Sequence, residues 1–289
     1  MNILITGANG QLGSEFKALH QSNAFENHAI FFTDIDELDI IDENAVQAFF
    51  QTNEIDCCIN CAAYTAVDKA ESENLMAEKI NVTAPGILAK ACKANEALFM
   101  HISTDFVFNG KNFRPLIETD PTGPISVYGK TKLEGEAEIA AYHDKYIIIR
   151  TSWLYSTYGN NFVKTMQRLG KERQELSVIF DQIGSPTYAG DLAAAISNII
   201  MQFEPEHTGI YHYSNEGVAS WYDFAHAIMQ YSNIPCKVLP IETSQYPTPA
   251  ARPHYSVLNK KKIRNTFKLS IPHWTESLRK CIDQLSRLS

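Results

Sequence analysis

Apolar runs and amphipathic stretches alternate through the first half of the chain. Residues 2–7, 29–34, 56–63, 97–104 and 146–152 are short runs, apolar on both faces, as strands buried inside a parallel sheet are. Between them, residues 14–22, 43–52, 72–95 and 127–142 carry the apolar spacing of helices. Strand–helix units joined by right-handed crossovers predict a doubly wound α/β sheet. Past residue 150 the rhythm breaks. Helices are expected at 160–173, 190–203, 221–233 and 275–287, one strand at 209–215, and irregular chain through the proline-rich 240–253.

The composition is that of a folded protein, 45% hydrophobic and 20% charged, and no long disordered stretch is expected. A formal charge of −8 argues against a nucleic-acid binder, though not against a local pocket for an anionic small molecule. No apolar run approaches the ~18 residues of a membrane helix. MNILITGANG reads as a strand entering a glycine loop, with no basic leader ahead of it. The cysteines Cys57, Cys58, Cys61, Cys92, Cys236 and Cys281 follow no disulfide framework. These features predict a cytoplasmic protein.

The first turn carries the first chemical signal. Gly7-Ala8-Asn9-Gly10-Gln11-Leu12-Gly13 joins a buried strand to a helix, where the chain must bend sharply and admit a pyrophosphate to its backbone. Asp34 ends the second strand, where a carboxylate would accept from the adenosine ribose diol and repel a 2′-phosphate. NADH is therefore expected in preference to NADPH, with Asp39 and Ile40 flanking the adenine. The expected division is a Rossmann dinucleotide-binding domain, 1–150 plus about 188–214, and a smaller α/β substrate-binding lobe, about 151–187 and 215–289.

Tyr128 and Lys132 form a Y-x-x-x-K pair, one turn apart on a helix face. Hydride delivered to a carbonyl carbon leaves an alkoxide that needs a proton. A free phenol, pKa about 10, gives one reluctantly near neutrality. An ammonium ~4 Å away, worth about 4 kcal/mol at an effective dielectric near 20, would bring the phenol toward neutral pH. Lys132 can also bond the nicotinamide ribose. Thr104 closes the fourth strand at the carboxyl edge, where open α/β sheets bind ligands, and is placed to hold a substrate carbonyl beside Tyr128.

Other features have plainer readings. Cys57, Cys58 and Cys61 lie in an apolar strand and are expected in the core. His207 and His212 lack a third partner at metal-like spacing. Trp221, Tyr222 and Phe224 are expected to pack, and Lys260–Lys262 to face solvent. Arg252, in the proline-rich loop, is either a surface arginine or a partner for a diphosphate. Trp153 is either a core residue or a stacking surface.

CAAYTAVDKAE (61–71), HISTDFVFNG (101–110), YGKTKLEGE (128–136), RTSWLY (150–155), GNNFVKTM (159–166) and YPTPAARP (246–253) together carry a family resemblance. Over nearly its whole length the chain resembles the extended short-chain dehydrogenase/reductases and, more narrowly, the dTDP-4-dehydrorhamnose reductases. That resemblance implies an NAD(P)H-dependent oxidoreductase that reduces the C4 ketone of dTDP-4-dehydro-β-L-rhamnose to dTDP-L-rhamnose, a polysaccharide precursor. It implies cofactor contacts at Gly10, Gln11, Leu12, Asp34, Asp39, Ile40, Ala62, Ala63 and Thr65. It also implies Tyr128 as proton donor, Lys132 orienting and Thr104 tuning it, and Thr104, Asp105 and Trp153 against the deoxysugar. Some relatives use NADPH and some are linked to Mg2+, for which no carboxylate cluster stands out in the sequence. Monomer and homodimer both stay open. Two other readings share the fold: a nucleotide-sugar 4-epimerase or 4,6-dehydratase, the latter disfavoured by Phe106 where a second acid is needed, and a regulatory subunit resembling the methionine adenosyltransferase β subunit.

Overall fold

The five apolar runs of the first half form five parallel strands: β1 (Asn2–Thr6), β2 (Ala29–Thr33), β3 (Cys57–Asn60), β4 (Leu98–Thr104) and β5 (Tyr146–Thr151). A sixth strand, Gly209–His212, pairs parallel with β5, and the sheet order is Gly209–His212, β5, β4, β3, β1, β2. The structure is a computed structural model and describes residues 1–22, 25 and 27–288. Strand order reverses at β1, which pairs with β2 on one side and β3 on the other. The loops leaving β1 and β3 therefore diverge, opening a crevice at the carboxyl edge.

The inner strands bury both faces, while the edge strand β2 is half-buried. Ile3, Ile5, Cys57, Ile59, Met100, Ile147 and Ile149 pack toward the helices Gln11–Gln21 and Ala189–Met201. Leu4, Cys58, Phe99 and Ile148 pack toward Glu43–Thr52, Ala84–Ala94 and Val127–Tyr142. Adjacent strand residues point to opposite faces, so Cys57 and Cys58 enter different halves of the core, both fully buried, and all six cysteines are free. A separate core holds Tyr155, Val163, Phe224, Ile228, Val238, Trp274 and Leu278, among the helices Phe162–Glu172, Trp221–Tyr231 and Trp274–Leu288.

Several elements differ from the sequence reading. The helix expected over 72–95 is broken into Asn74–Glu78, a π-helical turn at Lys79–Thr83, and Ala84–Ala94. Pro85 has no N–H for the carbonyl of Asn81, and its ring would crowd that carbonyl in a regular turn. Ser-Val-Ile and the start of the proline-rich region hide a two-stranded parallel ribbon, Glu175–Ile179 with Lys237–Ile241, which includes Pro240. Lys261–Phe267 is a helix whose Ile263 and Phe267 join the core on the main sheet. Its basic run is not uniformly solvated: Lys260 is buried against Glu216 at 3.4 Å, and Lys262 donates to the Ile210 carbonyl at 2.7 Å.

Candidate active site

At the crevice, Gly7 adopts φ +63°, and a Cβ there would come within 2.6 Å of the Ala62 nitrogen. A Cβ on Gly13 would collide with the Gly7 carbonyl, which forces the helix start against the strand end. The helix Gln11–Gln21 has no side-chain cap, so its first amides are left for an anion. Beside it lies a cavity of about 500 Å3 lined by Gly7, Gly10, Asp34, Asp39, Ile40, Ala62 and Ala63, closed by Ile35, Leu38 and Ile80. Small backbone-rich walls, an apolar slot and a carboxylate at its rim suit an adenine dinucleotide.

Not every expected residue lines that cavity. Leu12 is buried in the core, so only its backbone can face a ligand. Thr65 is exposed and outside the cavity lining. The Gln11 side chain reaches away, accepting from Asn161 Nδ2 at 3.0 Å. Asp34 accepts from the Asn9 amide at 2.9 Å, which pins the glycine loop to the end of β2.

The second group of side chains stands on β4 and on the helix Val127–Tyr142. Ser126 caps that helix by accepting from the Gly129 amide at 3.2 Å. Gly129 is needed because a Cβ there would strike the Phe106 carbonyl. This seats Tyr128 with its ring against Phe106, centroids 5.6 Å apart, and the Thr104 hydroxyl beside its phenol, favouring ionisation. Burial wins, however, and with help from Asp105 pushes the phenol up to about 12. The expected acidification by Lys132 is thus corrected: its buried Nζ is engaged elsewhere, 3.0 Å from His101 Nε2 and donating to the Ile102 carbonyl at 2.6 Å. Burial brings Lys132 down to about 8, against the pull of Glu136.

Asp105 is 2% exposed, and one of its oxygens accepts from the Thr104 hydroxyl at 3.0 Å. Burial raises this carboxyl to about 6, against hydrogen bonding from Ser256 and Thr104. Trp153, at φ +48°, stacks on Trp221 with centroids 3.7 Å apart, and any side chain at Gly184 would meet its indole. One face of the ring is therefore already covered by protein. Arg252 forms a two-pronged pair with Asp68, at 2.7 and 3.1 Å, and is not free for a diphosphate in this arrangement. The Asp68–Arg252 contact ties the loop after Pro247 to the short helix Val67–Ala70.

Four residues with no assigned role in the sequence reading complete the site. Asn60 and His101 sit fully buried under Lys132, and Glu136 and Arg150 pair beneath them at 2.6 Å. Ser103 also donates to Glu136 at 2.5 Å. His101 and Glu136 fall within segments that drew attention, but a buried polar side chain reads from sequence like any strand or helix residue. Among the described residues no group of three or more His, Cys, Asp or Glu side chains is arranged to hold a metal ion, so the Mg2+ expectation finds no fitting ligands here. No helix among them is long and apolar enough to cross a membrane.

A doubly wound sheet with a glycine-walled cavity at its switch point, and a tyrosine and lysine on the adjoining helix, defines an extended short-chain dehydrogenase/reductase. The model of the RmlD substrate binding domain family matches residues 1–287, and the chain belongs to that family. It is 40% identical to the dTDP-4-dehydrorhamnose reductase of Escherichia coli K12, covering 99% of this chain and 98% of that one. A dTDP-4-dehydrorhamnose reductase structure from Clostridium acetobutylicum superposes with a TM-score of 0.94 at 44% identity, covering 99% of this chain and all of that one. One from Bacillus anthracis, in complex with NADP, gives 0.92 at 43% identity over 98% and 99%.

Proposed function

We propose that this chain reduces the C4 ketone of dTDP-4-dehydro-β-L-rhamnose to dTDP-L-rhamnose with a nicotinamide dinucleotide. What carries the reading is Thr104 beside the Tyr128 phenol, with Lys132 bonded to the Ile102 carbonyl on the same strand, in a chain that also holds a dinucleotide-sized cavity and is matched end to end by reductases of that name. Gly7, Gly10, Gly13 and the amides of Gln11 and Leu12 hold the pyrophosphate; Asp34 takes the ribose; Asp39, Ile40, Ala62 and Ala63 wall the adenine side. When bound, the reduced nicotinamide supplies hydride to the C4 carbon. Thr104, turning its hydroxyl from Asp105, holds the carbonyl oxygen, and Tyr128 gives that oxygen its phenolic proton. Lys132, when it carries its proton, donates to the nicotinamide ribose. Asp105 and Trp153 border the sugar. Residues 1–150 with about 188–214 bind the dinucleotide, and the remainder forms the substrate lobe, except that Lys261–Phe267 packs on the main sheet.

The Asp34 carboxylate, at the cavity rim, favours NADH over NADPH by repelling a 2′-phosphate. The test is oxidation of each dinucleotide by the purified protein with the nucleotide-sugar ketone, and NMR of the product. Tyr128→Phe is expected to lower turnover by about 10²–10⁴-fold with the fold intact. A wild-type protein that binds dinucleotide but reduces no nucleotide-sugar ketone would overturn the reading in favour of a regulatory subunit.

A further inference from the structure

Beneath Lys132 runs a buried row of hydrogen bonds whose directions can be worked out from one fixed end. The Ala62 amide can only donate, and it donates to Asn60 Oδ1 at 3.1 Å; the Thr6 hydroxyl gives the same oxygen a second bond at 2.7 Å. That fixes which end of the Asn60 amide is oxygen. Its Nδ2 must then donate, and what it meets at 3.1 Å is His101 Nδ1. His101 is fully buried, and burial holds it neutral. With Nδ1 accepting, the imidazole proton is on Nε2, and Nε2 lies 3.0 Å from Lys132 Nζ. A proton aimed at Nζ needs a lone pair there. Lys132 can provide one only as the amine, while one of its own hydrogens goes to the Ile102 carbonyl.

We propose that His101 is a positioning residue that sets the protonation of Lys132: the row Ala62, Asn60, His101 reaches the lysine as a donor and favours its neutral form. To become an ammonium, Lys132 must turn a third hydrogen toward His101, which then has to move its own proton to Nδ1, facing the Asn60 amide hydrogens. One buried hydrogen bond is lost in the exchange. The other ionisable group acting on Lys132 is Glu136, one turn along its helix, which favours the ammonium. Glu136 is itself held by Arg150 from β5 and Ser103 from β4. Asn81, from the π-helical turn, bonds Thr131 and the Tyr64 backbone. His101 is thus the neighbour that opposes the charge, and it places the basic limb of the reaction's pH dependence lower than burial beside Glu136 alone would.

This inference rests on the reductase reading, and its first test needs no substrate. Nitrogen-15 NMR of histidine-labelled full-length protein separates proton-bearing from bare imidazole nitrogens, and His101 is identified as the signal set lost in His101→Gln. Recorded above the Lys132 midpoint of about 8, a neutral ring with the proton on Nε2 supports the proposal; a proton on Nδ1 there, or an imidazolium, overturns it. The second test is the pH profile of kcat/KM. His101→Gln can turn its carbonyl oxygen to an ammonium, and its basic limb is expected to move up by about one pH unit. Asn60→Asp accepts at both oxygens, so it should reverse the histidine tautomer and move the limb the same way. A folded, active His101→Gln enzyme with an unmoved profile would sink the proposal while leaving the reductase reading intact. Absence of turnover with the Nε2 tautomer in place would sink the reductase reading instead.

Discussion

At the scale of single residues, the site is governed by burial acting against charge. Tyr128, Lys132 and Asp105 are all displaced toward their neutral forms, the first up to about 12, the second down to about 8, the third up to about 6. Asp105 offers the most direct check through linkage. Its folded carboxyl holds a proton more tightly than the unfolded one, whose pKa is about 3.9. Its favourable contribution is therefore complete below about pH 4 and lost as pH rises through about 6. Asp105→Asn carries no such proton, so the variant should gain stability on the wild type from pH 4 to pH 7 by on the order of 1–3 kcal/mol. Urea midpoints measured across that range test it; parallel curves for the two proteins would refute it.

At the scale of elements, the proline-rich segment shows what one ion pair can position. Arg252 reaches Asp68 with two nitrogens and also bonds Thr248 and the Ala250 carbonyl, which closes the loop on itself and onto the helix Val67–Ala70. The pair holds the Asp68 carboxyl below its usual range. Both side chains keep some exposure, so solvent screening limits the coupling to about 0.5–1 kcal/mol. A double-mutant cycle with Arg252→Ala and Asp68→Ala should return a coupling of that size, and strictly additive effects would show the contact to be idle. The same segment marks where sequence reading stops. Strands β1 to β5 were legible because residues apolar on both faces, such as Ile3 to Ile5, have few other places in a soluble fold. The glycine loop and the tyrosine–lysine pair were legible because their spacing is local. The pairing of Lys237–Ile241 with Glu175–Ile179 spans some sixty residues of chain, and neither strand has a periodicity strong enough to announce it. Arg252 and Asp68 are 184 positions apart, so the arginine's occupation could be seen only once the fold brought them together. The row through Asn60 and His101 escaped for a different reason: hydrogen-bond direction depends on which backbone amide fixes its end.

At the scale of the whole molecule, the helix proposed to receive the dinucleotide also anchors the second core. Gln11, its first residue, accepts from Asn161 Nδ2, and Glu15, one turn on, accepts from the Ser156 hydroxyl at 2.6 Å. Asn161 has two duties. Its oxygen caps the helix Phe162–Glu172 by accepting from the Lys164 amide at 3.2 Å, and its nitrogen donates to Gln11 and to the Ser156 carbonyl at 2.7 Å. Asn161→Asp separates them. The carboxylate still caps, but it cannot donate to the Gln11 oxygen it used to bond, and Gln11 must rearrange beside the proposed pyrophosphate site. Dinucleotide affinity should therefore fall about 3- to 10-fold, the equivalent of roughly one hydrogen bond, with little loss of helix content. Titration calorimetry with NADH and NADPH reads the affinity, and circular dichroism reads the cap. Saturating dinucleotide at 100 times Kd should add about 2.7 kcal/mol to the wild type, and with the two cores bridged at Gln11 and Glu15 it should raise one common melting transition. Unchanged affinity in Asn161→Asp, or a ligand shift confined to one of two separate transitions, would mean that the second core is carried by the first without being coupled to what it binds.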